Sequence, residues 1–126
     1  MTRTPLPGRR GSVTIKVMHT GAGGVVNEYT VTYGFNAANA VCEFFCNSPK
    51  DGSDLQAMIS DSCIWASNLL QLDVSIAHLA DMCLENRPEG AQAGPAASPL
   101  GAIARAGAAL GADVATWPSV YEEAAQ

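Results

Sequence analysis

Residues 43–79 read EFFCNSPKDGSDLQAMISDSCIWASNLLQLDVSIAHL, and the fold turns on how the pattern changes along this stretch. Glu43 to Cys46 reads as the end of a buried strand. Asn47 to Gly52 (NSPKDG) is turn chemistry throughout. Ser53 or Asp54 then caps a long helix by accepting hydrogen bonds from its otherwise orphaned first amides. Leu55, Met58, Ile59, Ser62, Cys63, Ala66, Leu69 and Leu70 recur at three-and-four spacing and predict one apolar stripe down that helix. Asp54 and Asp61 lie off the stripe. Ile64 and Trp65 fall beside it, which implies a second buried surface, against another helix or a second subunit. Leu72 to Ser75 ends the helix and starts another, capped by Asp73 or Ser75, with Ile76, Leu79, Met82 and Cys83 facing inward.

Upstream, the pattern has period two. In SVTIKVMHT (12–20), Val13, Ile15 and Val17 alternate with Thr14, Lys16 and Met18, as in a half-buried strand. GAGG (21–24) supplies the positive-φ positions of a hairpin loop. Val25 to Phe35 is a second strand with Tyr29, Val31, Tyr33 and Phe35 on one face and Thr30 and Thr32 on the other. After a short turn at Asn36 to Asn39, Ala40 to Cys46 is a third strand, apolar on both faces apart from Glu43. That pattern predicts a central or helix-covered position. Connections this short permit only antiparallel pairing, so the strands form a meander.

Downstream, NRPEGAQAGPAASP (86–99) is rich in Gly, Ala and Pro and predicts a surface loop. Ser98-Pro99 resembles a helix start, a cap followed by proline at the first helical position. Leu100, Ile103, Ala106 and Leu110 give a third helix. Its glycines, Gly101, Gly107 and Gly111, each cost about 1 kcal/mol unless they permit close packing. The expected architecture is α+β: a three-stranded antiparallel meander followed by two to three helices packed on one face. Residues 1–11 form an irregular arm, 12–112 a single domain and 113–126 a tail from which Trp117 and Tyr121 can dock on the body. A three-stranded sheet with one covered face leaves the other exposed, and Tyr29, Tyr33 and Phe35 argue against both faces being polar, so a homodimer is expected.

The chain has 126 residues, 48% of them apolar and 15% charged, with a net charge of −5. Those values fit one globular domain and disfavour generic nucleic-acid binding. No apolar run approaches the ~20 residues of a membrane span, and the amino end has no signal-type apolar core. The expected setting is cytoplasmic, with Cys42, Cys46, Cys63 and Cys83 reduced.

Candidate chemistry is sparse. Cys42 and Cys46 share one side of a strand about 13 Å apart, too far for a disulfide and poor for one metal ion. Cys63 and Cys83 sit on inward helix stripes as small apolar residues. A zinc site from Cys42, Cys46, Cys63 and His78 lacks any CxxC or HxxxH spacing. His19 and His78 are single histidines with no partner in a catalytic spacing. Glu43 is the one charge in its strand and pairs with Lys16 or Lys50, or accepts backbone hydrogen bonds. GAGG lacks the Gly-Lys-Ser/Thr ending of a phosphate loop. Arg3, Arg9, Arg10 and Lys16 all precede the first acid, Glu28, so the amino end is basic. Together with Lys50, Gly52 and Ser53 at a helix start, the residues Arg9, Arg10 and Lys16 make a candidate anion or nucleotide site.

The order of several motifs resembles a known family. They are LPGRR (6–10), Met18-His19, EYTVTYG (28–34), CEFFCN (42–47) and PKDGSD (49–54), then ASNLLQ (66–71) and AASPLGAIA (96–104). This series resembles the TSCPD domain at the carboxyl end of cobalamin-dependent ribonucleotide reductases, and more closely its small stand-alone relatives in bacteria and phages. The Thr-Ser-Cys-Pro-Asp signature survives only as Ala97-Ser98-Pro99-Leu100, without its cysteine and acid. The chain also lacks the reductase's barrel, radical cysteine and cobalamin site. The resemblance therefore implies a non-catalytic interaction module, homodimeric and linked to deoxynucleotide supply or its regulation. Its partners would be itself and a ribonucleotide reductase or another protein, with no cofactor. A nucleotide-binding regulator and a cysteine-based metal or redox site are the alternatives.

Overall fold

A computed structural model describes residues 11–47 and 53–114. Three strands, β1 (Ser12–Thr20), β2 (Val26–Phe35) and β3 (Val41–Cys46), are followed by α1 (Asp54–Gln71), α2 (Ile76–Met82) and α3 (Pro99–Val114). The strands lie in the order β1-β2-β3 and both pairs are antiparallel, so the architecture is the α+β meander with three helices. α3 runs two residues past the domain end expected from the sequence.

Local chemistry sets the turns. Gly23 and Gly24, at φ of 81° and 80°, close the β1–β2 hairpin in a left-handed conformation that suits glycine. Between β2 and β3, the Asn36 side-chain oxygen accepts from the amides of Ala38 and Ala40 at 2.9 and 3.1 Å, so one side chain holds the turn. Ser53, Ser75 and Ser98 each accept an amide three residues on, those of Gln56, His78 and Gly101.

Alternation on the sheet decides which face the helices cover. Val17, Tyr29, Val31, Tyr33 and Phe44 point into the core with Ile59, Cys63, Leu70 and Ile103. The aromatic face is thus the covered one. The opposite face carries a Thr14–Thr32 hydroxyl bond at 2.8 Å and a Lys16–Glu28 ion pair at 3.5 Å. Tyr29, Tyr33 and Phe35 therefore give no reason to expect an apolar outer sheet face, whose exposed large apolar residues include Met18 and Phe45. Glu43 folds over Gly34, its cross-strand partner, with Oε1 2.8 Å from where a Cβ would stand.

α3 approaches the sheet closely because position 107 has no side chain. A Cβ on Gly107 would fall 2.5 Å from Cε1 of Tyr33 and would also collide with Ile76. The Tyr33 hydroxyl donates to the Ile103 carbonyl at 2.7 Å, so the ring is held at both ends. Residues 83–98 are an ordered loop. Arg105 donates to the Gly94 carbonyl at 2.8 Å and to Glu85 at 2.7 Å, and a bridge joins Glu85 to Ala96.

β3 is an edge strand, and α1 covers it. The Ser67 hydroxyl accepts from the Phe44 amide at 3.0 Å and donates to the Phe44 carbonyl at 3.2 Å. Gln71 donates to the Cys42 carbonyl at 3.4 Å, and the Cys46 backbone hydrogen-bonds Cys63. Four helical residues rise about 6.0 Å and two strand residues about 6.6 Å. The row Cys63, Ser67, Gln71 therefore keeps step with Cys46, Phe44, Cys42. Backbone groups that an edge leaves open to another strand are satisfied from within.

Candidate functional site

The sequence pointed to an anion site of six residues. Arg9, Arg10, Lys50 and Gly52 lie outside the described residues. Lys16 is on the open sheet face with Glu28, and the Ser53 hydroxyl caps α1. The expected docking of Trp117 and Tyr121 also falls outside the described residues.

Several titratable groups in the described body are engaged in structure. His19 is buried, and its Nε2 lies 3.2 Å from the Ala96 carbonyl, so that nitrogen carries the proton and donates it. Burial pushes the Cys63 thiol up to about 11, opposed by the backbone hydrogen bond from Cys46. Cys83 is also raised by burial, with Arg105 pulling the other way, and its thiol donates to the Leu79 carbonyl at 3.3 Å. Raised thiols are poor nucleophiles at neutral pH because little thiolate is present. His78 stands exposed on α2. Among the described residues no three of His, Cys, Asp and Glu converge as a metal would require, so the imagined set of Cys42, Cys46, Cys63 and His78 is not assembled. Glu85 is held below the ordinary carboxylate range chiefly by its hydrogen bond from Arg87, with Arg105 adding to the effect.

The surface that stands out is the outward side of the helical layer. The sequence reading placed eight α1 residues on a single inward stripe, and the structure divides them. Ile59, Cys63, Ala66 and Leu70 are buried, whereas Leu55, Met58 and Leu69 are exposed and Ser62 is half-buried. α1 leans on the β3 edge, so its inward direction passes through Cys63 and Ser67. The remaining apolar positions are turned out of the core. Trp65, 74% exposed, falls on this second stripe. Met82, expected to face inward on α2, is 58% exposed.

Between α1 and the α2–α3 pair the surface dips into a cleft of about 180 Å³. Trp65, Leu69, Leu79, Met82 and Leu100 line it, with Phe44 at its floor, and its walls are almost wholly apolar. α1 and α2 carry Asp54, Asp61 and Asp81 but no lysine or arginine. The chemistry available here is desolvation of a partner's apolar side chains. Sequence reasoning noticed Trp65 but merged the two stripes. The signal that separates them is the row Cys63, Ser67, Gln71, whose four-residue steps mark the inward direction.

Among the described residues no helix is long and apolar enough to cross a membrane. No family model, no curated protein and no solved structure matches the chain.

Proposed function

We propose that the chain is a non-catalytic protein-interaction module, TSCPD-like in its motif order, that acts as a homodimer and serves deoxynucleotide supply or its regulation. The observation that carries the interaction role is the exposed apolar surface around Trp65, Leu69 and Met82, continuous with the cleft between the helices. Monomeric proteins rarely leave a large contiguous apolar patch open to water, and such patches mark docking sites. The reductase link rests on the resemblance of the motif series and on nothing else. Two of the candidate anion-site residues have structural roles, Lys16 with Glu28 and Ser53 as a cap, so nucleotide binding ranks behind.

The test has two arms. Sedimentation equilibrium of the full chain gives its mass, and the expected result is twice the 13.1 kDa of one chain. Titration into a purified cobalamin-dependent ribonucleotide reductase, followed by calorimetry, is expected to show saturable heat. A monomeric mass overturns the homodimer, and a flat titration overturns the link to the reductase.

A further inference from the structure

The second stripe of α1 is Leu55, Met58, Ser62, Trp65 and Leu69, at successive steps of three, four, three and four residues. Its mean step of about 3.5 is the spacing of a seam between two packed helices. A helix that meets only water has no need of it. The four large side chains of this stripe are exposed, although the inward stripe already supplies the contacts to the sheet.

The stripe also reads nearly the same in both directions about Ser62. Two large residues precede it at distances of four and seven, and two follow it at three and seven. An interface around a two-fold axis requires such self-complementarity, because residue i must meet residue j and j must meet i. From this we infer that α1 is the dimer helix: two copies pair antiparallel, with Ser62 on Ser62 at the axis. Leu55 then meets Leu69 of the partner, and Met58 meets Trp65 of the partner. This rests on the homodimer proposed above and names its surface.

Three further observations fit this occupant. The centre of the stripe is its smallest residue, and the Ser62 hydroxyl is turned back to donate to the Met58 carbonyl at 2.7 Å. The backbones can approach there without burying an unpaired hydroxyl. One flank of the stripe, Ile59 and Ala66, is sealed in the core. On that side Met82 and the cleft continue the apolar surface. At on the order of 200 Å² per fully exposed large side chain, Leu55, Met58, Trp65, Leu69 and Met82 present roughly 600 Å² of apolar area. A standard interface buries ~800 Å² per partner, a little over half of it apolar, so the area suffices.

The other flank carries Asp54, Asp61 and Asn68. In an antiparallel pair like flanks meet, which sets Asp61 beside Asp61 of the partner across the axis. The seam therefore carries one like-charge pair, which weakens it at low salt.

The test is sedimentation equilibrium of the full-length chain and of three variants, with circular dichroism to confirm that each is folded. Trp65→Asp is expected to weaken association roughly thirtyfold or more, as loss of a central aromatic anchor does. Asp61→Asn is expected to tighten it several-fold. Thr14→Ala, on the far sheet face, is expected to leave it unchanged. In a Trp117→Phe background, Trp65 becomes the sole tryptophan. Its emission should shift to the blue as concentration rises through the dimer range. A wild-type chain that stays monomeric overturns both the homodimer and this seam. A wild-type dimer that persists as a dimer in Trp65→Asp, with no emission shift, overturns the seam alone and leaves the homodimer standing.

Discussion

The two long sides of α1 have almost the same composition and opposite roles. Ile59, Cys63, Ala66 and Leu70 face the sheet, and Leu55, Met58, Trp65 and Leu69 face outward. Hydrophobicity alone does not distinguish them. The inward side is accompanied by Ser67 and Gln71, whose polar atoms meet the β3 backbone, while among the described residues the Ser62 hydroxyl on the outward side bonds to its own helix. A buried face has to satisfy the polar groups it covers, and a face awaiting a partner does not. The small polar residues within an apolar stripe therefore tell which side is core.

Truncation is the bluntest way to break this contrast. Leu70→Ala removes a buried side chain and is expected to cost about 2–5 kcal/mol of stability by urea unfolding. Met58→Ala, on the outward side, is expected to stay within about 0.5 kcal/mol when measured at concentrations low enough to dissociate the proposed dimer. Equal costs at the two positions would mean that the outward stripe belongs to the core after all.

The two serines sharpen the contrast. Ser67→Ala leaves both the amide and the carbonyl of Phe44 without their partner and should cost about 1–3 kcal/mol. It also uncovers the β3 edge, so faster aggregation on mild heating should accompany the loss. Ser62→Ala removes a bond to a carbonyl within the same helix and should change stability by a few tenths of a kcal/mol at most. Comparable losses would show that α1 does not close the sheet edge through Ser67.

Much of the fold was legible because its determinants are local. Alternation gave all three strands to within a residue, and the glycine and asparagine turns fixed their antiparallel order. Ser53, Ser75 and Ser98 marked the helix starts through side chains only three residues from the amides they cap. What escaped depends on residues far apart in the chain. Ser67 meets Phe44 across 23 residues, Arg105 meets Glu85 across 20, and His19 meets Ala96 across 77. No periodicity encodes such pairings. The third strand shows the limit well. Its doubly apolar pattern identified helix cover, but covering an edge and occupying the sheet centre give the same sequence. The candidate surface was half legible. Trp65 stood out beside the stripe, whereas the division of that stripe needed the tilt of α1 against β3.

The last of these effects concerns Cys63, where the polar row and the inward stripe coincide. In the unfolded chain its thiol ionises near 9.0, and in the folded protein burial moves that to about 11. The folded state thus holds the proton longer, and its contribution is complete below pH 9. As pH rises from 9 towards 11 the unfolded state loses its proton first, so stability falls. Tyr33, raised by burial in the same core, acts in the same direction once the pH passes its ordinary value of 10.0. Cys63→Ala removes only the thiol's share, so the urea midpoint of the variant should decline less steeply than that of the wild type between pH 9 and 11. Parallel slopes would mean that Cys63 meets water more readily than a residue on the core side of α1 can, and the inward stripe would then have to be drawn without it.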